Sequence, residues 1–238
     1  MRNHRFYVAQ SLAPDQNIEL TDDRAHYLKN VLRLKAGTSL VLFNNTGSEF
    51  TAEITRQDKK HTHLKVLDEA PKTTESGIHT ALGLVISKGE RMDYAIQKST
   101  EMGVSVIQPL YSQHCDVRLN PARENNKRKH WQQVAVSASE QSGRVNVPAI
   151  LAPATLDAWV QQIESPLKIF LDQEQTTEFK ALVPAKDAAI LIGPEGGFSE
   201  NEKALARDKG FTGITLGPRT LRTETAPVAI LSLIQNYW

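Results

Sequence analysis

A change in hydrophobic period near residue 70 constrains this fold more than any other feature. Before it, apolar residues alternate with polar ones. Phe50, Ala52 and Ile54 form one such series, and Leu64 and Val66 another, broken at Leu67 and Asp68. A period of two places alternate side chains on one face of a strand. Ser39–Phe43 is a further β-type run, and the turn signal Asn44-Asn45-Thr46-Gly47 separates it from Phe50, so the two read as a hairpin. One helix interrupts the strands. Thr21 or Asp22 serves as its cap, and Ala25, Leu28, Val31 and Leu32 follow at helical spacing. This stretch reads as a small, mainly antiparallel β domain with barrel-like closure.

Ala70–Gly77 is polar, carries proline and glycine, and reads as a linker. It sets expected domains of 1–72 and 73–238. Beyond it strands and helices alternate. Thr80–Ser87, Val104–Leu110, Leu167–Leu171, Ala188–Ile192 and Phe211–Leu216 are strand-like runs. Met92, Ala95, Ile96 and Ser99 share a helical face that ends at Gly103. Asn120-Pro121 opens a helix with the buried stripe Trp131, Val134, Ala135 and Ala138, ending at Gly143. Thr155 caps a helix marked by Leu156, Trp159, Val160 and Ile163. Ser199 and Glu202 form a capping box for a helix that stops at Gly210, and a last helix starts near Glu224. Alternating βα units predict an α/β domain with a mostly parallel sheet, whose ligands sit beyond the carboxyl ends of its strands. That directs attention to the loops after Leu171, Ile192 and Leu216.

Composition excludes several classes. With 40% hydrophobic and 23% charged residues, the chain of 238 is neither disordered nor fibrous. Its apolar runs fall short of the roughly 20 residues of a membrane span. The start Met1-Arg2-Asn3-His4-Arg5-Phe6 has charge but no apolar run behind it, so no signal peptide is expected, and a cytoplasmic protein is. The single cysteine, Cys115, permits no internal disulfide and no thiolate cluster. His61 and His63 share a strand face without a third ligand nearby, and His114 and Cys115 lack a partner at metal spacing, so no metal is expected. Ser137, Ser139 and Ser142 lack a nucleophile elbow. Net charge is only +1, yet Arg118–Arg144 holds six Lys/Arg against two acids. Such a stretch meets phosphate or is a solvated helix face.

Two loops concentrate the chemistry. Gly193-Pro194-Glu195-Gly196-Gly197-Phe198-Ser199 follows a strand and precedes a capped helix, so adjacent glycines admit a ligand to the backbone and the helix start offers N–H donors. It matches neither dinucleotide nor Walker patterns, and it also reads as a structural turn. Leu216-Gly217-Pro218-Arg219-Thr220-Leu221-Arg222-Thr223-Glu224-Thr225-Ala226 has the same setting, with two arginines and a glutamate. Together they could wall one pocket in which arginine stabilises negative charge and a carboxylate takes a proton. An Arg–Glu pair that only caps the last helix is the plainer alternative.

This pair of loops resembles the signature of the bacterial 16S rRNA (uracil-N3)-methyltransferases, members of the SPOUT superfamily. Three further segments resemble the family's motifs in order: Tyr27-Leu28 with Val31-Leu32-Arg33-Leu34; Lys88–Met92 with Gln97–Val104; and Glu140–Arg144 with Val147-Pro148. Met102 stands where leucine is usual, and Thr220 where an aliphatic residue is common. The resemblance implies a PUA-like β-barrel followed by a SPOUT domain with a deep trefoil knot, a homodimer, S-adenosyl-L-methionine as cofactor, no metal, no membrane, and 16S rRNA or the small ribosomal subunit as partner. Carried over, it puts Leu171, Ile192, Gly193, Pro194, Glu195, Gly196, Gly197, Leu216, Gly217, Leu221, Thr225 and Ala226 at the cofactor. It puts Arg33, Lys88, Arg91, Lys127, Arg128, Lys129 and Arg144 at RNA.

The chemistry then needs N3 of uracil to lose its proton while negative charge spreads to O2 and O4. Arg222 is the expected stabiliser, and Glu224 or Glu195 the expected proton acceptor, with water as the alternative. The base must be unstacked to react. Competing expectations are a SPOUT enzyme for another RNA base or a 2′-hydroxyl, and a catalytically silent RNA-binding factor.

Overall fold

The computed structural model describes residues 4–58 and 60–238; the first half of the charged start weighed above as a leader, Met1–Asn3, lies outside them. The chain divides into two units, one running to Glu75 and taking in Ser139–Asn146, the other made of Ser76–Ala138 and Val147–Trp238.

The first unit is a five-stranded sheet. Its strands are β1 (Arg5–Tyr7), β2 (Asn17–Thr21), β3 (Ser39–Phe43), β4 (Ser48–Gln57) and β5 (His61–Pro71), in the order β1-β3-β4-β5-β2. All ladders are antiparallel except β1 with β3. The alternation seen in sequence becomes its core, with Leu40, Leu42, Phe50, Ala52, Ile54, Leu64 and Val66 all buried. Two irregularities in the β4–β5 register, at Thr51/Ala52 and Ile54/Arg56, bend the sheet. Among the described residues no ladder joins β1 to β2, so the expected closure rests on Phe6, Val8, Ile18 and Leu20 packing into one cluster. His61 pairs with Glu19, and among the described residues no group of three or more His, Cys, Asp or Glu is placed to hold a metal.

The predicted first helix differs from its expected form. Only α1 (Asp22–His26) is α-helical, and Thr21 makes no side-chain cap. Tyr27–Val31 forms a π-turn, in which the Leu32 N–H donates to the Tyr27 carbonyl. The wider turn breaks the i, i+3, i+4 spacing. Ala25 and Leu28 are buried, whereas Val31, expected in the stripe, is 58% exposed.

The second unit carries a seven-stranded sheet. Its elements are β6 (His79–Val85), α2 (Glu90–Glu101), β7 (Val106–Tyr111), α3 (Pro121–Ser142), β8 (Ala149–Ile150), β9 (Ala154–Thr155), α4 (Leu156–Gln162), β10 (Leu167–Leu171), β11 (Asp187–Ile192), α5 (Glu200–Asp208), β12 (Thr212–Ile214) and α6 (Ala226–Tyr237). The order is β12-β10-β11-β6-β7-β8, with β9 also on β7, and every pair is parallel. Ala188–Ile192 is buried throughout, as a strand covered on both faces must be. The caps form as their chemistry requires. Asn120 Oδ1 accepts from Arg123 N–H, Thr155 from Ala158, and Ser199 and Glu202 complete a reciprocal box. The strand expected over Phe211–Leu216 shortens to β12, because Thr215 leaves it to donate its N–H to Thr177. The last helix starts two residues later than expected, since Arg222 first accepts from Thr225 and Ala226 in a turn.

Candidate functional site

Strand register builds the site. Leu171, the last residue of β10, pairs with Ile192 of β11 on one side and Ile214 of β12 on the other. Three chain segments therefore leave the sheet at one level, on its carboxyl edge. They surround a cavity of about 720 Å³. Ten of the twelve expected cofactor residues line it: Leu171, Ile192, Gly193, Pro194, Glu195, Gly196, Gly197, Leu216, Leu221 and Ala226. Gly217 and Thr225 do not; Gly217 takes the turn at φ +98°, and Thr225 occupies the cap position of α6.

The glycine loop closes as a tight turn, with Gly197 N–H donating to Pro194 O at 3.0 Å. Gly197 sits at φ +71°, a conformation that favours glycine, so its role in the turn is structural as well. Gly196 has no such constraint: a Cβ there would meet His114 Cβ at 3.4 Å, an ordinary contact. At the start of α5 the capping box occupies two donors, Ser199 Oγ accepting from Glu202 N–H and Glu202 accepting from Ser199 N–H, and Glu202 also accepts from Gln113 N–H, the last two at 2.8 Å.

Arg222 and Glu224 both line the cavity, with Nη1 and Oε1 3.9 Å apart. The arginine side chain is 81% exposed and the glutamate only 13%. Glu195, the other expected acceptor, pairs with Arg91 at 2.7 Å, which also brings Arg91 to this cavity.

Sequence reading missed a charged wall opposite. Asp172, Gln173, Glu174 and Lys203 line the same space. Lys203 Nζ lies 2.9 Å from Asp172, 2.5 Å from Glu174 and 3.2 Å from Glu200. Its hydrogen bonds to Glu174, Asp172 and Glu200 raise the ammonium pKa despite burial. For Asp172 burial alone would raise the pKa, but bonds from Lys203, Glu174 N–H and Gln175 hold it below the ordinary carboxylate value. The polar run directly after Leu171 was the available signal; Lys203, on a helix, gave none.

The basic residues assigned to RNA separate. Lys127, Arg128 and Lys129 are exposed on α3. Arg33 is exposed at φ +55° beyond the π-turn. Lys88 pairs with Asp116 at 2.7 Å. Arg144 is 5% exposed, and its guanidinium is bound to Glu75 at 2.6 Å, so its place is inside the first unit rather than against phosphate.

Comparison with known proteins follows this geometry. Residues 74–235 match the family model described as RNA methyltransferase domain, and residues 20–67 that of the RNA methyltransferase PUA domain. The chain is 38% identical over 234 residues to ribosomal RNA small subunit methyltransferase E of Buchnera aphidicola (subsp. Schizaphis graminum), covering 97% of this chain and 95% of that one. A Legionella pneumophila structure, described as a methyltransferase in complex with bound SAM, is 36% identical with a TM-score of 0.96 and covers 99% of this chain and 98% of that one. A ribosomal RNA small subunit methyltransferase E from Neisseria gonorrhoeae, bound to S-adenosyl methionine, is 34% identical with a TM-score of 0.94 and covers 100% and 98%. With the full-length match and both domains in order, the chain belongs to the ribosomal RNA small subunit methyltransferase E family.

Proposed function

We propose that this protein transfers the methyl group of S-adenosylmethionine to N3 of one uridine in the 16S rRNA of the small ribosomal subunit. The observation that carries the reading is the single cavity where the glycine turn, the Leu216–Ala226 loop, Arg222 and Glu224 meet. The cavity's chemistry fits the cofactor. The edges of Gly196 and Gly197 admit a ligand to the backbone, Leu171, Ile192, Leu216 and Leu221 offer apolar surface, and Glu195 and Glu224 suit a cation. When bound, S-adenosylmethionine supplies a methyl group on a positive sulfonium. Arg222 then donates hydrogen bonds to the uracil carbonyl oxygens, where negative charge develops, and lowers the pKa of N3. Glu224, largely sheltered beside it, takes the N3 proton.

The same reading assigns residues 1–72 to RNA docking and 73–238 to chemistry, with a trefoil knot, a homodimer and a cytoplasmic setting. Among the described residues no helix is long and apolar enough to cross a membrane. The test is nucleoside mass spectrometry of 16S rRNA from a deletion strain. One 3-methyluridine should disappear and return with the wild-type gene. Retention of 3-methyluridine with loss of a different methylated nucleoside would overturn the N3 assignment.

A further inference from the structure

A second cavity, of about 670 Å³, opens beyond the carboxyl end of β7. It shares a wall with the first: Phe198, Glu200 and Lys203 face one, Ser199, Asn201 and Glu202 the other. Nothing in the proposed methyl transfer uses it.

Its lining is specific in character. Arg118 lies over the Tyr111 ring, with Cζ 5.8 Å from the centroid. Tyr111 is fixed in turn, because its hydroxyl donates to Glu124 Oε1 at 2.8 Å in the first turn of α3. Burial, then that bond, push the phenol up to about 12, so it stays a neutral donor. Glu202 is spent on the Ser199 and Gln113 N–H groups. Among the described residues, what remains to meet a ligand is the buried Ser112 hydroxyl, which has no partner, the Arg118 guanidinium, which otherwise reaches only the Ser112 carbonyl at 3.5 Å, the Asn201 amide and the Asp157 carboxylate, with Leu119 and Leu205 supplying apolar lining. A planar cation, apolar walls, and both donors and acceptors at the edge are the recognition chemistry of a nucleobase. A phosphate inside would face Asp157. Phosphate has a better place outside: Lys127 and Arg128 stand one turn beyond Glu124 on the same face of α3, both exposed.

We propose that this second cavity holds an unpaired nucleobase of the RNA substrate, belonging to a nucleotide other than the methylated one, while Lys127 and Arg128 meet its backbone. The proposal rests on the RNA-methyltransferase reading and deepens it, naming a site that fixes the strand beside the reacting base.

The test is fluorescence anisotropy with a short, unstructured, end-labelled RNA oligomer on the full chain. Variants are Arg118→Ala, Arg118→Lys and Leu205→Trp, the last filling the cavity without changing charge. Arg118→Ala and Leu205→Trp should each weaken oligomer binding about 5- to 100-fold, the range of losing one stacked base. Arg118→Lys should restore the salt slope but only part of the affinity. Calorimetry with S-adenosylmethionine should give wild-type affinity in all three, which also reports that they fold. Wild-type oligomer affinity in both Arg118→Ala and Leu205→Trp would overturn the proposal. So would AMP binding as tightly as the oligomer, which would make the cavity a free-nucleotide site. Wild-type methylation of small-subunit rRNA is measured in parallel; its absence strikes the enzymatic reading, while the oligomer comparison judges the cavity independently.

Discussion

Lys203 shows how much one buried charge can organise. Its side chain is 8% exposed and that of Asp172 12%, whereas Glu174 and Glu200 are mostly in solvent. The sheltered Lys203–Asp172 pair therefore carries most of the energy, since exposed pairs contribute little. Removing the ammonium leaves a sheltered carboxylate without its cation. Lys203→Met should cost about 3 kcal/mol of stability at pH 7. The pH dependence follows from the two shifts. Asp172 is held below its ordinary value, so its stabilisation is present above about pH 4 and lost as pH falls through the lowered pKa. Lys203 is raised, so its share is complete below about pH 10.5 and lost as pH climbs through the raised pKa. Urea titrations should show the wild-type advantage at pH 7 shrinking toward pH 3. Equal stability at pH 7 would mean that methionine packing replaces the pair. Arg222 is the opposite case. It is 81% exposed and 3.9 Å from Glu224, so its ion pair adds little to the fold. Arg222→Ala should leave stability within about 0.5 kcal/mol yet slow methylation roughly 100- to 1000-fold. Lysine should rescue partly, because it keeps charge but not the planar fork. Single-turnover rates at saturating cofactor decide this; a near-wild-type rate for Arg222→Ala removes its catalytic role.

At the scale of elements, the two adjacent glycines of the turn after β11 do different work. Gly197 supplies a positive φ, so Gly197→Ala should destabilise by about 1–2 kcal/mol through backbone strain. Gly196 has ordinary backbone and room for a Cβ. Gly196→Val should keep a melting temperature close to wild type while abolishing S-adenosylmethionine binding, because its branches occupy ligand space. Calorimetry paired with thermal unfolding separates the two substitutions, and retained affinity in Gly196→Val would remove this turn from the cofactor site. Both glycines look alike in sequence. The tertiary structure tells them apart, by the positive φ of Gly197 and its closing bond to Pro194.

For the molecule as a whole, the chain leaves its first unit at Glu75 and returns to it with Ser139–Asn146. Glu75 secures the returning segment, accepting from Arg144 Nε at 3.1 Å and Nη2 at 2.6 Å, and from the Val145 and Asn146 N–H groups at 3.1 and 3.2 Å. A span read as a linker thus ends in a clasp. Glu75→Ala should cost roughly 3 kcal/mol in the first unit and speed hydrogen exchange at Val145 and Asn146. Unchanged protection at those amides would show that packing alone holds the segment.

What the sequence determined by itself is whatever acts over a few residues. The caps at Asn120, Thr155 and Ser199, the period-two core of β3 to β5, and the buried run of β11 all appeared where the pattern put them, because capping and amphipathicity depend on neighbours along the chain. The π-turn at Tyr27–Val31 escaped even this, since its spacing imitates an ordinary helix. Partners across the fold were decided by tertiary structure alone. Arg144 finds Glu75 69 residues away, and Arg91 finds Glu195 104 residues away, so one basic residue is buried and another turns to the cavity. The register that sets Leu171 between Ile192 and Ile214 is of the same kind. A charge in sequence announces that it needs a counter-charge or water, and only the topology of the sheet determines which it meets.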